Sequence, residues 1–398
     1  MKRRDLLGLG FLAASSNVMA KVAQVPTDNK LLFVFLRGGY DSANLLVPID
    51  SEFYYESRPT IGIKKIAETD GDGAVPIADG WGLNSALRET ILEWYKKGEA
   101  AFVPFAGIEE YSRSHFKTQD LLELAQPVDR PMNYQSGLFG RLVDVLTSDR
   151  RRARPAAFTR QPPVIFRGGG NIVNIDLNRR PSKLSESQIS IIEKMYEGTE
   201  LGGSVGVGFE AMKATPADAE REMKAASRNA MLPSGFKGVA ETVAKLMRDQ
   251  YSLGFIDVGG WDTHVRQGGS RGYLHDRFRE LGEGLSAFPK TLGDTWKKCI
   301  ILVVSEFGRT FRENGNGGTD HGSGTTYWIL GGGVNGGKIL GQQSDVKREN
   351  LHMDREFKIL NSYAQFVGTV CNQMFDFSSS DMAKLLAGAN FEKSYRII

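Results

Sequence analysis

Cysteine is nearly absent from this 398-residue chain, which holds only two. Cys299 stands in an apolar run and Cys371 in an apolar helical segment. Even in an oxidising compartment a disulfide is the weaker reading of this pair. Both read better as buried free thiols that pack as small hydrophobes. Long hydrophobic runs are lacking too. After the first twenty residues no stretch reaches membrane-spanning length, so the mature chain is expected to be soluble, without stable membrane insertion. Charge of either sign is not in excess. The formal net charge of +3 falls to +1 once Lys2, Arg3, Arg4 and Asp5 are set aside, which gives no reason to invoke nucleic acid or an anionic membrane surface. No internal repeat or low-complexity tract is present. Histidine is scarce, at five residues.

What is present at the start resembles an export signal. Lys2-Arg3-Arg4 is a basic opening, Leu6 to Ala14 a short apolar stretch, and Val18-Met19-Ala20 a cleavage region. The Arg3-Arg4 pair points to the twin-arginine route, hence to the twin-arginine translocase as an export partner and to a periplasmic or secreted location. The alternatives are an ordinary secretory signal or an uncleaved anchor.

Three apolar runs end in polar, glycine-containing turns. Leu31 to Leu36 leads into Arg37-Gly38-Gly39-Tyr40-Asp41. Leu253 to Val258 leads into Gly259-Gly260-Trp261-Asp262-Thr263-His264. Cys299 to Val304 leads into Ser305-Glu306-Phe307-Gly308-Arg309. Continuous β-branched runs of this kind are expected of buried parallel strands, and active sites in open α/β sheets lie at the carboxyl ends of such strands. Further strands are expected at Ala101 to Ala106, despite its proline, and at Tyr327 to Leu330. Helices are expected over Asn84 to Gly98, from about Ser112–Ser114 onward, up to Gln250, from Tyr273 to Trp296, and near 354–373 and 380–387. The alternation predicts one α/β domain over 21–398, with a mostly parallel central sheet and helices on both faces. Residues 145–235 read as an inserted cap, with a basic surface run at Arg150 to Arg154 and a charged helix over 215–230.

The candidate residues each have a plain structural reading. Asp41 is a ligand or a helix cap. Arg37 is an anion clamp or a partner to Asp41. Asp262 and His264, two apart, suit chelation of one cation or a hydrogen-bonded loop beneath Trp261. Asp320-His321 lies in a glycine-rich segment that is costly to order, so something should hold it, a metal being one candidate. Glu306 is a hard oxygen ligand, a base, or a salt-bridge partner of Arg309. Ser112 and Ser114 stand at a helix start, where a serine is ordinarily a cap but can also be a nucleophile beside a cation. His115 is a candidate acid or supporting group. His275 and His352 read as structural.

Six segments together resemble the exported bacterial family called domain of unknown function 1501: residues 37–44, Arg113-Ser114-His115-Phe116, Gly260 to His264, Ser305 to Arg309, Gly318 to Gly322, and Gly336 to Gly341. That family resembles the alkaline phosphatase and sulfatase superfamily of metal-dependent ester hydrolases. The resemblance implies Asp41, Asp262, His264, Glu306 and His321 as metal ligands, with Asp320 as a helper and one or two divalent ions of zinc, manganese or calcium. It implies Ser114 as nucleophile, Ser112 in reserve, and Arg37 or Arg309 as neutralisers of charge on the transferred group. Phe307 departs from the pattern, standing where a metal-binding histidine is expected. The resulting expectation is an exported hydrolase of phosphate or sulfate esters, its substrate a small molecule or polymer. A non-catalytic exported binding or assembly protein on the same scaffold is the alternative. A weaker third reading, a carbohydrate enzyme or binder, rests on Trp261 and the glycine-rich loops.

Overall fold

Lys30–Leu36 lies at the middle of a nine-stranded sheet. The computed structural model describes residues 25–66, 71–170, 172–177, 226–228, 230–392 and 395–398. The expected export signal lies outside these residues, as does most of the helix expected over 215–230. Leu253–Val258 pairs in parallel with one side of the central strand and Cys299–Val304 with the other. These are the three strands read from the sequence, and their registers run almost in step: Val258 stands opposite Leu36, and Val304 opposite Phe35. The chain therefore leaves the sheet three times at neighbouring points, and the loops that follow open on one rim.

Both faces of these strands are buried. Leu32, Val34 and Leu36 share one apolar layer with Phe236, Val243 and Phe278. Leu31, Phe33 and Phe35 share the other with Leu122, Leu142 and Phe366. The first layer is built by helices Pro233–Asp249 and Tyr273–Leu285, the second by His115–Leu124, Leu138–Ser148 and Tyr363–Phe375. A strand covered on both faces needs no polar alternation, which explains the unbroken apolar runs. The class is α/β with a mostly parallel sheet. Thr325–Leu330 is the exception, running antiparallel between Cys299–Val304 and Ala100–Gly107.

Ala100–Gly107 accommodates Pro104 through a local irregularity. Its pairing shifts between Thr325 and Tyr327, and Phe105 takes a φ of 51°. A proline has no N–H for the ladder, and a bulge removes the need for one. Proline also explains a shorter helix. The single helix expected from Tyr273 to Trp296 ends at Leu285 and restarts as Ala287–Leu292, followed by a 3₁₀ turn at Gly293–Lys298. In a continuous helix the Pro289 ring would meet the Leu285 carbonyl four residues back. The helix expected near 354–373 begins only at Tyr363, where the Ser362 hydroxyl accepts from the Gln365 N–H at 3.2 Å. The stretch expected to be helical from Asn84 is a 3₁₀ turn, Ser85–Leu87, and then the helix Ile91–Lys96.

Within 145–235, Pro155–Ala157 pairs with Leu253–Val258, and Val173–Asn174 extends the sheet by one more strand. Cys299 and Cys371 are free and buried, and burial pushes both thiols up to about 12. Among the described residues no helix is long and apolar enough to cross a membrane.

Candidate metal centre

The three strand-end loops meet because glycine lets them. Gly38 has a φ of 126°, and a Cβ there would lie 2.5 Å from the Asp262 nitrogen; at Gly39 (φ 64°) it would lie 2.4 Å from the Phe307 ring. The loop after the central strand thus packs directly on the loops after its two neighbours. The glycine-rich segment that carries Asp320 and His321 is held in the same way. Thr310 N–H donates to the Asp320 carbonyl at 2.8 Å, Gly322 to Gly308 at 2.9 Å, and Thr319 to Thr263 at 3.0 Å. The sequence called for something to order this segment. Backbone pairing to both neighbouring loops does so.

Three imidazoles and one carboxylate converge there. The Nε2 atoms of His115 and His321 are 2.9 Å apart, as are those of His264 and His321. Asp262 Oδ1 lies 3.0 Å from His264 Nε2 and 3.3 Å from His321 Nε2, and its Oδ2 lies 3.5 Å from His115 Nε2. The donor atoms of His115, Asp262 and His321 all fall within 4.8 Å of one another.

Each ring is turned by what holds its other nitrogen. His115 Nδ1 faces Glu306 Oε1 at 2.8 Å. His321 Nδ1 faces the Arg113 carbonyl at 3.2 Å. His264 Nδ1 faces Asp320 Oδ1 at 3.4 Å. All three partners accept and cannot donate, so each Nδ1 carries a hydrogen, and each Nε2, when not protonated, turns its lone pair inward. Lone pairs 2.9 Å apart repel unless a proton or a cation lies between them. Without an ion, a proton on His115 fills that place between it and His321. Burial alone would lower His115, yet its bonds to Asp262 and Glu306 raise it to about 9. Burial alone would raise Asp262, yet Arg309 and the histidines hold it well below the ordinary range. Asp262 Oδ2 is buried, and the polar group it faces is His115 Nε2 at 3.5 Å, too long for a good hydrogen bond. With His115 deprotonated, three imidazole nitrogens beside the loosely held Asp262 carboxylate fit a divalent ion of the zinc or manganese type, which takes nitrogen and oxygen donors in such sets.

Glu306 stands behind His115. Its Oε1 accepts from the Gly38 N–H, from Gln119 Nε2 and from His115 Nδ1, each at 2.8 Å, and Oε2 accepts from the Ser305 hydroxyl at 3.0 Å. Burial would raise its carboxyl, but His115 and Gln119 bring it down to about 2. With its oxygens so committed, it orients a ring, as a carboxylate behind a metal-bound histidine does. Glu306→Gln keeps the shape but loses the charge-assisted bond. Titration with Zn²⁺ is expected to show affinity weaker by roughly 10–100-fold.

The other candidates are placed as follows. Arg309 is buried and donates to Asp262, to the carbonyls of Gly38, Gly39, Trp261 and Thr319, and lies 3.3 Å from His264 Nε2. Arg37 is not brought to the cluster. It is locked in a buried triad with Glu123 at 2.8 Å and Asp257 at 2.7 Å. Asp41 is also drawn away, both oxygens being held by Arg58. Ser112 bonds Glu110. Ser114 caps the helix His115–Leu124 by position, with no side-chain cap bond. Phe307 is buried with its ring 4.7 Å from His115 and 5.0 Å from His321, walling two imidazoles. His275 and His352 lie outside the cluster, the latter stacked on Tyr111 at 4.7 Å.

Gln119 and Arg58 were not singled out from the sequence. Gln119 had a signal, since it lies four residues after His115 and so on the same helix face. Arg58 had none.

Fold and site define an α/β protein with a mostly parallel sheet and a cluster of His and Asp donor atoms on the rim where its central strands end. Residues 28–379 match the family described as Protein of unknown function (DUF1501), and the chain belongs to that family. The sequence matches no curated protein. Among solved structures, a protein of the alkaline phosphatase superfamily from Vibrio parahaemolyticus is 9% identical, with a TM-score of 0.35 over 88% of this chain and 68% of its own. A protein designated Ps i-CgsB, solved with a neocarrahexaose, is 9% identical, with a TM-score of 0.40 over 92% and 73%. A protein from a Bacteroides thetaiotaomicron locus for glycosaminoglycan metabolism is 10% identical, with a TM-score of 0.33 over 89% and 74%. At these scores none of them speaks to the chemistry of this chain.

Proposed function

We propose that this protein is an exported, metal-dependent hydrolase of phosphate or sulfate esters. The observation that carries the reading is the meeting of the three Nε2 atoms with the buried Asp262 carboxylate. His115, Asp262, His264 and His321 would hold the ion. When bound, it supplies Lewis acidity toward an ester oxygen and lowers the pKa of a nearby hydroxyl. Ser114 precedes His115 directly and leaves its hydroxyl free of a capping bond. In the reaction Ser114 Oγ gives its proton to solvent water as its bond to phosphorus or sulfur forms, and the bond to the leaving oxygen breaks, that oxygen taking a proton from water to depart as the alcohol. Water then cleaves the seryl ester. Arg309 keeps Asp262 ionised and aimed at the cluster, and Phe307 screens two of the imidazoles from water. Elemental analysis of the mature protein, paired with a screen of generic phosphate, phosphonate and sulfate esters, tests the reading. Bound metal with turnover of one ester class supports it; no metal and no turnover ends it.

One observation favours a second reading, an exported metal-binding protein without turnover. Ser114 makes no side-chain capping bond, and among the described residues no hydrogen bond from its hydroxyl to a general base is seen. Bound metal with every ester left intact would select this alternative.

Export through the twin-arginine translocase is part of the proposal. Replacing Arg3 and Arg4 together by lysine is expected to leave the protein in the cytoplasm, read by fractionation and immunoblot. Unchanged periplasmic yield would refute that route.

A further inference from the structure

The three imidazoles are not turned by the same kind of group. His115 and His264 face the carboxylates of Glu306 and Asp320, whereas His321 faces a main-chain carbonyl, that of Arg113 at 3.2 Å. That carbonyl belongs to a strained residue. Arg113 takes a φ of 55°, a left-handed conformation that is unfavourable for a residue with a Cβ and persists only where its surroundings enforce it. Its side chain is pinned by Glu356, whose carboxylate is fully buried. Glu356 Oε2 accepts from Arg113 Nε at 3.0 Å and Oε1 from Nη2 at 2.9 Å, a fork that fixes both the position and the plane of the guanidinium. Oε2 also accepts from Arg355 Nη1, which donates in addition to the His321 carbonyl at 2.7 Å. The main chain holds Glu356 in turn: its carbonyl accepts from the His352 N–H at 2.8 Å, and it bridges to Thr310. One buried carboxylate thus reaches the centre by two routes, to the carbonyl that turns the His321 ring and to the main chain that carries it.

We propose that Glu356 is a positioning residue of the metal centre, acting on His321 through Arg113 and Arg355 without touching the ion. The inference rests on the metal reading above and goes beyond it by naming what sets the direction of a ligand. A main-chain carbonyl is aimed by whatever holds the residue that bears it. With the Glu356 carboxylate in place, the fork keeps Arg113 left-handed, the carbonyl keeps a hydrogen on His321 Nδ1, and Nε2 stays turned toward His115 and His264. Without that carboxylate Arg113 is released to relax to negative φ, which swings its carbonyl off the ring. Arg113 also directly precedes Ser114, the residue that caps the helix His115–Leu124 by position, so the same relaxation would disturb the start of the helix that bears a second ligand.

Metal affinity and the geometry around a probe ion test it. Mature protein stripped with a chelator is titrated with Zn²⁺ against a competing indicator, and in parallel loaded with Co²⁺ for its visible ligand-field spectrum. Circular dichroism of the metal-free protein follows the fold separately. Glu356→Gln, which keeps the shape and loses the charge, is expected to bind Zn²⁺ roughly 10–100-fold more weakly and to shift the Co²⁺ bands, with circular dichroism unchanged. Arg113→Ala should move both readouts in the same direction, and the double variant should bind no more weakly than Glu356→Gln alone, because the two act along one route. His352→Ala, in the same turn but off the fork, should match the wild type. Wild-type affinity and spectrum in a folded Glu356→Gln would overturn the inference while leaving the metal reading intact, as would additive losses in the double variant or an equal loss in His352→Ala. Should Glu356→Gln fail to fold, Arg113→Ala, whose side chain is partly exposed, decides alone by the same two readouts. A wild type that takes neither Zn²⁺ nor Co²⁺ would sink the metal reading itself, and this inference with it.

Discussion

His321→Ala is expected to abolish metal retention through gel filtration while leaving the fold in place. His321 is the hub of the cluster, with its Nε2 2.9 Å from both other imidazoles and 3.3 Å from Asp262. Structural zinc sites gain roughly 10–16 kcal/mol on binding. A quarter share, for one of four ligands, corresponds to a loss on the order of 100-fold or more in affinity. The side chain keeps 13% of its surface exposed and its loop is pinned by backbone bonds, so truncation should cost less stability than the loss of Asp262. Asp262→Ala should lose the metal as completely but with a second penalty. It strands Arg309, whose side chain is fully buried, and breaking a buried pair from one side costs about 3–5 kcal/mol. Metal analysis and thermal denaturation of both variants separate the two effects. His275→Ala, outside the cluster, should match the wild type. Equal metal content in wild type, His321→Ala and Asp262→Ala would remove the metal centre from consideration.

Arg37→Met is expected to cost about 3–5 kcal/mol of folding stability. Arg37 is the sole cation of a buried triad. Its Nη2 donates to Glu123 and its Nε to Asp257, while Nη1 reaches Gln119 Oε1 at 2.9 Å. Methionine fills much of the same space but leaves two interior carboxylates unpaired. Burial already pushes Asp257 up, with Arg37 as the main force pulling it back. Without Arg37 the folded-state pKa rises further above the unfolded value. A carboxyl raised in the fold contributes its stability below the unfolded pKa and loses it as pH climbs through the folded one. The deficit of Arg37→Met should therefore be largest at pH 8 and shrink toward pH 5, as urea denaturation at both values would show. A deficit that does not change with pH would mean that lost packing, rather than charge, sets the cost.

How much of the site was legible depended on the kind of contact. His321, His264 and Asp262 could be read because each follows an apolar run or sits in a glycine-rich motif, and strand ends in a parallel sheet share a rim. His115 was marked on the sequence as a supporting group and Glu306 as a ligand. The structure puts His115 in the cluster and Glu306 behind it, since Gly38, Gln119 and Ser305 consume the Glu306 oxygens. Nothing local distinguishes a carboxylate aimed at an ion from one aimed at a histidine. Arg37 and Asp41, adjacent to the same rim, were equally plausible as site residues. Their fate was set by Glu123 and Asp257 for one and Arg58 for the other, partners 17 to 220 positions away.

By itself, then, the sequence determined the class of fold and the rim on which chemistry would gather. Apolar periodicity and glycine placement are local, and they specify which runs become buried strands and where those strands stop. Only the tertiary structure decided which polar groups face inward together and which are neutralised by a buried arginine. Ion pairing in the interior is a matter of a few ångströms between side chains that the chain order leaves far apart. The packing of both sheet faces, not spacing along the sequence, sets those distances.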